Sequence, residues 1–276
     1  MFEKSYCRHQ ILVLLLLVFA TNAGGQPPDN LVQRALHDST FSWLSSSANG
    51  IKIFYQKDSF AEKHRMMLLR SAETTVHEVL EFLDEPAYEP LLNIFYVESR
   101  DEMKRLVGRP YSGFADWEAS GIFLVLNSEW RSFEKHEFTH VITMGVWGPP
   151  DVTSRWMIEG IAICSDGWCR EYTVDEIAFH LLSNGQLPSL QELFDDHASL
   201  GEIRAGFFAA SFIGFIRSTY GMPKLRSLWS KGAGNLNEVL GNELNQIESS
   251  WKLYLERNVR RDVHVDLETI NESGCG

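Results

Sequence analysis

The chain has 276 residues, 44% of them hydrophobic and 22% charged, which excludes disordered, collagen-like and low-complexity classes. The length suffices for one large domain or two closely packed lobes with a core that needs no disulfide staples. The formal charge of −12 repels phosphate backbones, and Lys104 with Arg105 and Arg260 with Arg261 are only isolated basic pairs, so nucleic acid is excluded as a partner.

Residues 1–25 read as a secretory signal peptide. Lys4 and Arg8 precede an apolar run from Ile11 to Ala20, and small residues follow at Ala23, Gly24 and Gly25. Ten apolar residues fall well short of the ~20 that a membrane-spanning helix needs. The expectation is an exported chain, periplasmic or secreted, with no stable membrane insertion once the signal is removed. Cys7 leaves with the signal, and Cys164, Cys169 and Cys275 remain. Cys164 and Cys169 either close a small disulfide loop or stay as two thiols, and Cys275 falls in a glycine-flanked tail expected to lack structure.

Residues 26–40 form a polar leader without periodicity. Asn49-Gly50 signals a turn before the β-rich run Ile51–Tyr55. From Ser59 to Leu83, Met67, Leu68, Ala72, Val76, Val79, Leu80 and Leu83 recur at helical spacing. Leu91–Val97 is a second strand, Ser99 with Asp101 and Glu102 starts a short helix, and Gly121–Leu126 is a third strand. After about residue 130 the pattern predicts helices over 132–145, 154–165, 174–183, 189–195, 206–219, 223–230 and 236–257. The expected class is α+β: a small N-terminal mixed sheet (about 41–130), metal-site helices and a helical C-terminal lobe (about 131–257), and a tail over 258–276.

The first of the later helices carries His136-Glu137-Phe138-Thr139-His140. Residues four apart lie about 40° apart around a helix and ~6 Å along it, so both imidazoles project from one face. Two neutral imidazoles so placed can share one zinc ion. Glu137, rotated ~100° from His136, can address a metal-bound water without occupying a ligand position. Phe133, Val141 and Met144 share the broad face of the histidines, which makes that face a buried one.

Gly145, Gly148, Pro149 and Pro150 end this helix, and Thr153 or Ser154 is placed to cap the next, which contains Glu159. Glu159 follows His140 by nineteen positions among apolar neighbours, where a carboxylate needs a partner. A catalytic zinc takes three protein ligands and keeps a fourth position open, and Glu159 supplies the third.

This pair of helices resembles the gluzincin metallopeptidases, most of all their compact peptidase MA-like members. Trp156 to Ala162 is similar to their third-ligand helix, and Ala209 to Gly221, followed by Lys224 to Leu228, is similar, more weakly, to a helix pair that often follows it. The resemblance covers roughly residues 50–257. It implies a zincin-type fold, a zinc cofactor (Zn2+), and a peptide or protein substrate. It also implies that His136, His140 and Glu159 hold the metal, while Glu137 acts as general base and then acid. It further implies that the strand Gly121–Leu126 is the sheet edge along which an extended peptide lies, and that Gly160 and Ala162 permit close helix packing beneath the metal.

Three positions depart from the family pattern. Phe207 and Phe208 stand where related chains often carry a tyrosine, leaving Tyr172, His180 and Tyr220 as candidates to stabilise the oxyanion. Ile163 occupies the place of an acid that orients a zinc-binding histidine, with Asp166 two turns from Glu159 as a substitute. The motif that grips a free amine in exopeptidases is not visible. The rival reading from another class is a zinc-stabilised binding module of the same fold with negligible turnover.

Overall fold

The computed structural model describes residues 30–129, 134–260, 263–273 and 275. The signal peptide over 1–25 and the position of Phe133 lie outside the described residues.

Helix α1 (Leu31–His37) leads into the hairpin β1 (Trp43–Ala48) and β2 (Ile51–Gln56). Helix α2 (Phe60–Leu83), β3 (Leu92–Val97), α3 (Arg100–Val107), β4 (Gly113–Asp116) and β5 (Gly121–Val125) complete the sheet region. Helices α4 (Glu134–Trp147) and α5 (Trp156–Asp166) follow, then the short hairpin β6 (Trp168–Cys169) and β7 (Tyr172–Thr173). The rest is helical: α6 (Val174–Ser183), α7 (Leu190–Asp196), α8 (Glu202–Tyr220), α9 (Met222–Lys231), α10 (Leu236–Leu240), α11 (Leu244–Asn258) and α12 (Leu267–Ser273). The class is α+β, with a small mixed sheet in the first half of the chain and helices in the second.

The sheet has five strands in the order β1-β2-β3-β5-β4, parallel across β2, β3 and β5 and antiparallel at both margins. Sequence periodicity anticipates only β2, β3 and β5, because those three are buried on both faces and read as apolar runs. β1 is a half-exposed margin strand rich in serine, joined to β2 through Asn49 and Gly50, whose positive φ values (48° and 80°) suit a two-residue hairpin turn. β4 is four residues long and none of them is fully buried. The margin of the sheet on this side is therefore β4, not the strand from Gly121, which is flanked by β3 and β4.

Alternate residues of the sheet feed two cores. Ile53, Ile94, Ile122 and Leu124 face α2, α4 and the helical lobe in the larger core. Phe54, Phe95 and Phe123 face α1 and α3, with Phe95 stacked between the other two rings at 4.5 and 4.8 Å. Truncating so enclosed a ring to alanine costs about 3–5 kcal/mol. The leader is not featureless. Asn30 caps α1 by accepting from the Gln33 amide, and Leu31, Val32 and Ala35 are buried in this second core. The seven-residue helix is too short to show a period in a polar context.

The long helix expected over 236–257 is two helices. Gly241 (φ 77°) closes α10, and a capping box between Glu243 and Gln246 opens α11. The C-terminal tail is structured as well. Val265 and Ile270 are buried with Val174, Ile177 and Phe207 in a third cluster, and Cys275 is disulfide-bonded to Cys169. The Cys164–Cys169 loop does not form; Cys164 stays a thiol, and burial, with Asp175 nearby, pushes its pKa up to about 12.

Candidate metal centre

Helix α4 is fixed at both ends of its first two turns. The Glu134 carboxylate accepts from Tyr96 Oη of β3 at 2.9 Å and from Ser71 Oγ of α2 at 3.1 Å. The buried Thr139 hydroxyl meets Ser165 Oγ of α5 at 3.0 Å, tying the two site helices together. Gly148 (φ 73°) closes α4, and its carbonyl accepts from Trp229 Nε1 at 2.8 Å. Neither Thr153 nor Ser154 caps α5. Asp151 caps the short 3-10 turn before it, while Thr153 Oγ1 accepts from the Ala233 amide and Ser154 Oγ donates to Leu228 O. Those hydroxyls pin the α4–α5 turn to the helical lobe.

α5 then lies against α8 at Gly160, where an added Cβ would meet Ile213 Cδ1 at 2.7 Å and Ala209 Cβ at 2.8 Å. Ala162, on another side of α5, is fully buried as well. The close helix approach expected at Gly160 is present.

This packing brings together the residues singled out in the sequence. Ligand atoms of His136, His140 and Glu159 all lie within 4.8 Å of one another. The two Nε2 atoms are 3.1 Å apart, His136 Nε2 is 3.4 Å from Glu159 Oε2, and His140 Nε2 is 3.5 Å from Glu159 Oε1. Both histidines are largely buried, whereas 57% of the Glu159 side chain is exposed at the mouth. Val141 and Met144 are buried beneath the same helix.

The charges are strongly coupled. Burial and the neighbouring His136 lower the His140 pKa to about 4 against the opposing pull of Glu159, so this imidazole is neutral. Burial also works to lower that of His136, but the hydrogen bond to Glu159 and the charges of Glu137, Glu159 and Asp166 outweigh it and raise the value to about 9. Burial opposes ionisation of Glu159, yet the His136 hydrogen bond and the two imidazoles bring its pKa down to about 2. Glu137 goes the other way. Burial, reinforced by Glu159 and Asp166, raises it to about 7 against the attraction of His136. A carboxyl poised near neutrality can both take and return a proton at physiological pH.

Two imidazoles and a carboxylate converging on one point form a donor set suited to zinc, and the neutral His140 and ionised Glu159 are already in the state a metal requires. His136 would have to give up its proton. Asp166 Oδ2 stands 3.8 Å from His136 Nδ1, on the ring nitrogen facing away from the cluster, where an acid orients a ligating histidine.

Hollows of about 300 and 400 Å³ share Tyr111, Gly113, His136, Glu137 and Glu159 as walls, so the site opens into one cleft. β4 forms a side of it, with Gly113 against Glu137. Tyr111 and Gly113 carry no mark in the sequence, since they precede or begin a strand too short to read. None of the three proposed oxyanion donors lines these hollows. Tyr172 Oη accepts from the Asp266 amide, His180 pairs with Asn184, and Tyr220 packs on Phe215. Phe207 does line the cleft, and Phe208 packs on Trp251 in the core. Compared with family profiles and with curated protein sequences, the chain matches none.

Proposed function

We propose that this protein is an exported zinc-dependent peptidase of the gluzincin type. The observation that carries the reading is the convergence of His136, His140 and Glu159 within 4.8 Å, with Glu137 beside them against Gly113 of β4.

In this reading the three ligands hold zinc, which supplies Lewis acidity toward the scissile carbonyl and the attacking water. Glu137 takes the proton from that water and delivers it to the leaving amine. Asp166 holds His136 with Nε2 toward the cluster. The unpaired edge of β4 (Gly113–Asp116) offers main-chain groups to an extended peptide, since the strand from Gly121 is paired on both sides. The Cys169–Cys275 disulfide supports an oxidising destination, in keeping with the signal read over 1–25. Among the described residues, no helix is long and apolar enough to cross a membrane.

A second reading, a zinc-stabilised binding module without turnover, draws on Phe207, which places a ring without a hydroxyl at the cleft. Chelation separates the two. Peptide hydrolysis that stops with a chelator and returns with added zinc supports the peptidase. A metal-loaded protein that hydrolyses no peptide, and loses only thermal stability on chelation, supports the module.

A further inference from the structure

We infer that the hollow where α2, β3 and β5 meet the start of α4 binds a small aliphatic amine in its ammonium form, with Glu134 as the counter-ion. Among the described residues this hollow shares none of its walls with the cleft at the metal centre, and the site stands whether or not the chain is a peptidase.

Glu134 is a partly buried carboxylate that the peptidase chemistry does not use. Its Oε1 accepts from Tyr96 Oη at 2.9 Å and its Oε2 from Ser71 Oγ at 3.1 Å. Among the described residues it makes no ion pair. Lys135, next to it in the chain, pairs with Glu78 at 3.4 Å instead. A carboxylate withdrawn from water without a cation is costly, and two hydroxyl donors with the start of a helix offset only part of that cost.

The polar corner left by this arrangement is rich in acceptors and has spent its donors. Both hydroxyl hydrogens are committed to Glu134, so Ser71 Oγ, Tyr96 Oη and the carboxylate have only lone pairs left to offer. An ammonium is the complement, with three donors, a positive charge and no acceptor. The remaining walls are apolar. Leu68, Leu124 and Leu126 are at most 7% exposed and form the floor, while Phe60 and the half-exposed Met67 stand at the mouth. The volume, about 170 Å³, is well below the ~300–1,000 Å³ of ordinary ligand pockets and holds a short alkyl chain.

Other occupants fit less well. An anion meets a carboxylate and no free donor. An inorganic cation has to exchange much of its water for leucine side chains. A neutral alcohol donates one hydrogen bond but leaves the charge of Glu134 unanswered. Glu134 is also the first residue of α4, the helix that carries both histidines. A bound ammonium therefore strengthens the anchoring of that helix to α2 and β3, and thermal stability should rise with its concentration.

The test uses the full chain, zinc-loaded so that the charged groups of the metal centre are occupied, at neutral pH and constant ionic strength. n-Butylammonium chloride, n-butanol, sodium butyrate and potassium chloride are titrated in turn and followed by calorimetry and thermal unfolding. Butylammonium should bind in the millimolar range or tighter and at least about tenfold more tightly than butanol, the scale of one hydrogen bond to a charged group. Butyrate and potassium should not bind. Glu134→Gln should abolish binding of the amine. Ser71→Ala, a milder change that keeps the charge, should weaken it about threefold or more. Absence of butylammonium binding at ~0.1 M, equal affinity for butanol, displacement by potassium at equal concentration, or an affinity unchanged in either variant would each overturn the site.

Discussion

Gly113 on β4 and Glu137 on α4 are in direct contact: a Cβ built on Gly113 would fall 2.5 Å from Glu137 Oε1 and 2.9 Å from its Cγ. The absent side chain lets the sheet margin close on the carboxylate, and that closure confines the group given the proton-transfer role. Gly113→Ala is therefore expected to push Glu137 aside without disturbing the core, since the clash is with the movable end of a side chain. Stability should stay within about 0.5 kcal/mol, as for a change outside the core, while kcat falls about a hundredfold, the cost of a misplacement near 1 Å. Chemical denaturation and steady-state kinetics on the same preparation check both halves. An unchanged kcat would show that Glu137 does not depend on the β4 margin.

Asp166 acts on the site through His136. Replacing it with Asn keeps the shape and removes the charge 3.8 Å from His136 Nδ1. Zinc affinity should fall by about 10- to 100-fold. A competition titration against a chromogenic chelator measures it. Equal affinity in the two proteins would remove Asp166 from any orienting role.

Zinc binding should be coupled to one proton from His136. Without metal its pKa is raised to about 9, so at neutral pH it is a cation that must deprotonate to ligate. Affinity should therefore rise with pH, about tenfold per unit between about pH 7.5 and 8.5, and level off above about 9. The sign for the metal-free protein is opposite. The stabilisation from pairing protonated His136 with Glu159 is fully present below the ordinary histidine value of 6.5 and is lost as pH rises through about 9. Calorimetry in buffers of different ionisation enthalpy counts the released protons. A count of zero near pH 8 would contradict the coupling.

Sequence patterning reached the site further than it reached the walls around it. His136, Glu137 and His140 share one helix, so helical geometry alone converges them, and Glu159 is legible from its place on the next helix after the Gly/Pro turn, although its side chain is more than half exposed and not enclosed by its apolar neighbours. The three inner strands are legible because burial on both faces writes apolar runs. β4 carries no such mark, and with it Tyr111 and Gly113 escape detection, because their placement follows from pairing with β5 rather than from local preference. The pairing of Cys169 with Cys275 spans 106 residues and depends on α12 folding back onto α6 and α8. Spacing along the chain favours the nearer Cys164, but α5 buries that thiol.

That disulfide has its own consequence. It closes a loop of 106 residues, for which the chain-entropy account gives about 4–5 kcal/mol. Cys275→Ser should lower unfolding stability by up to that amount, and a reducing agent should do the same to the wild type without affecting the variant. Urea titrations with and without dithiothreitol supply the comparison. Wild-type stability indifferent to the reductant would mean that the bond contributes nothing to the fold.

The central claim, that Glu137 beside a zinc held by His136, His140 and Glu159 hydrolyses peptide bonds, is tested most directly by a timed mass-spectrometric digest. A mixed peptide library is incubated with the zinc-loaded wild type and, in parallel, with Glu137→Gln at matched zinc occupancy. The account predicts new termini from the wild type and a loss of at least about 100-fold in their rate of appearance with the variant, the scale of a removed general base. Equal cleavage by the two proteins, or silence from both with zinc bound, would contradict it.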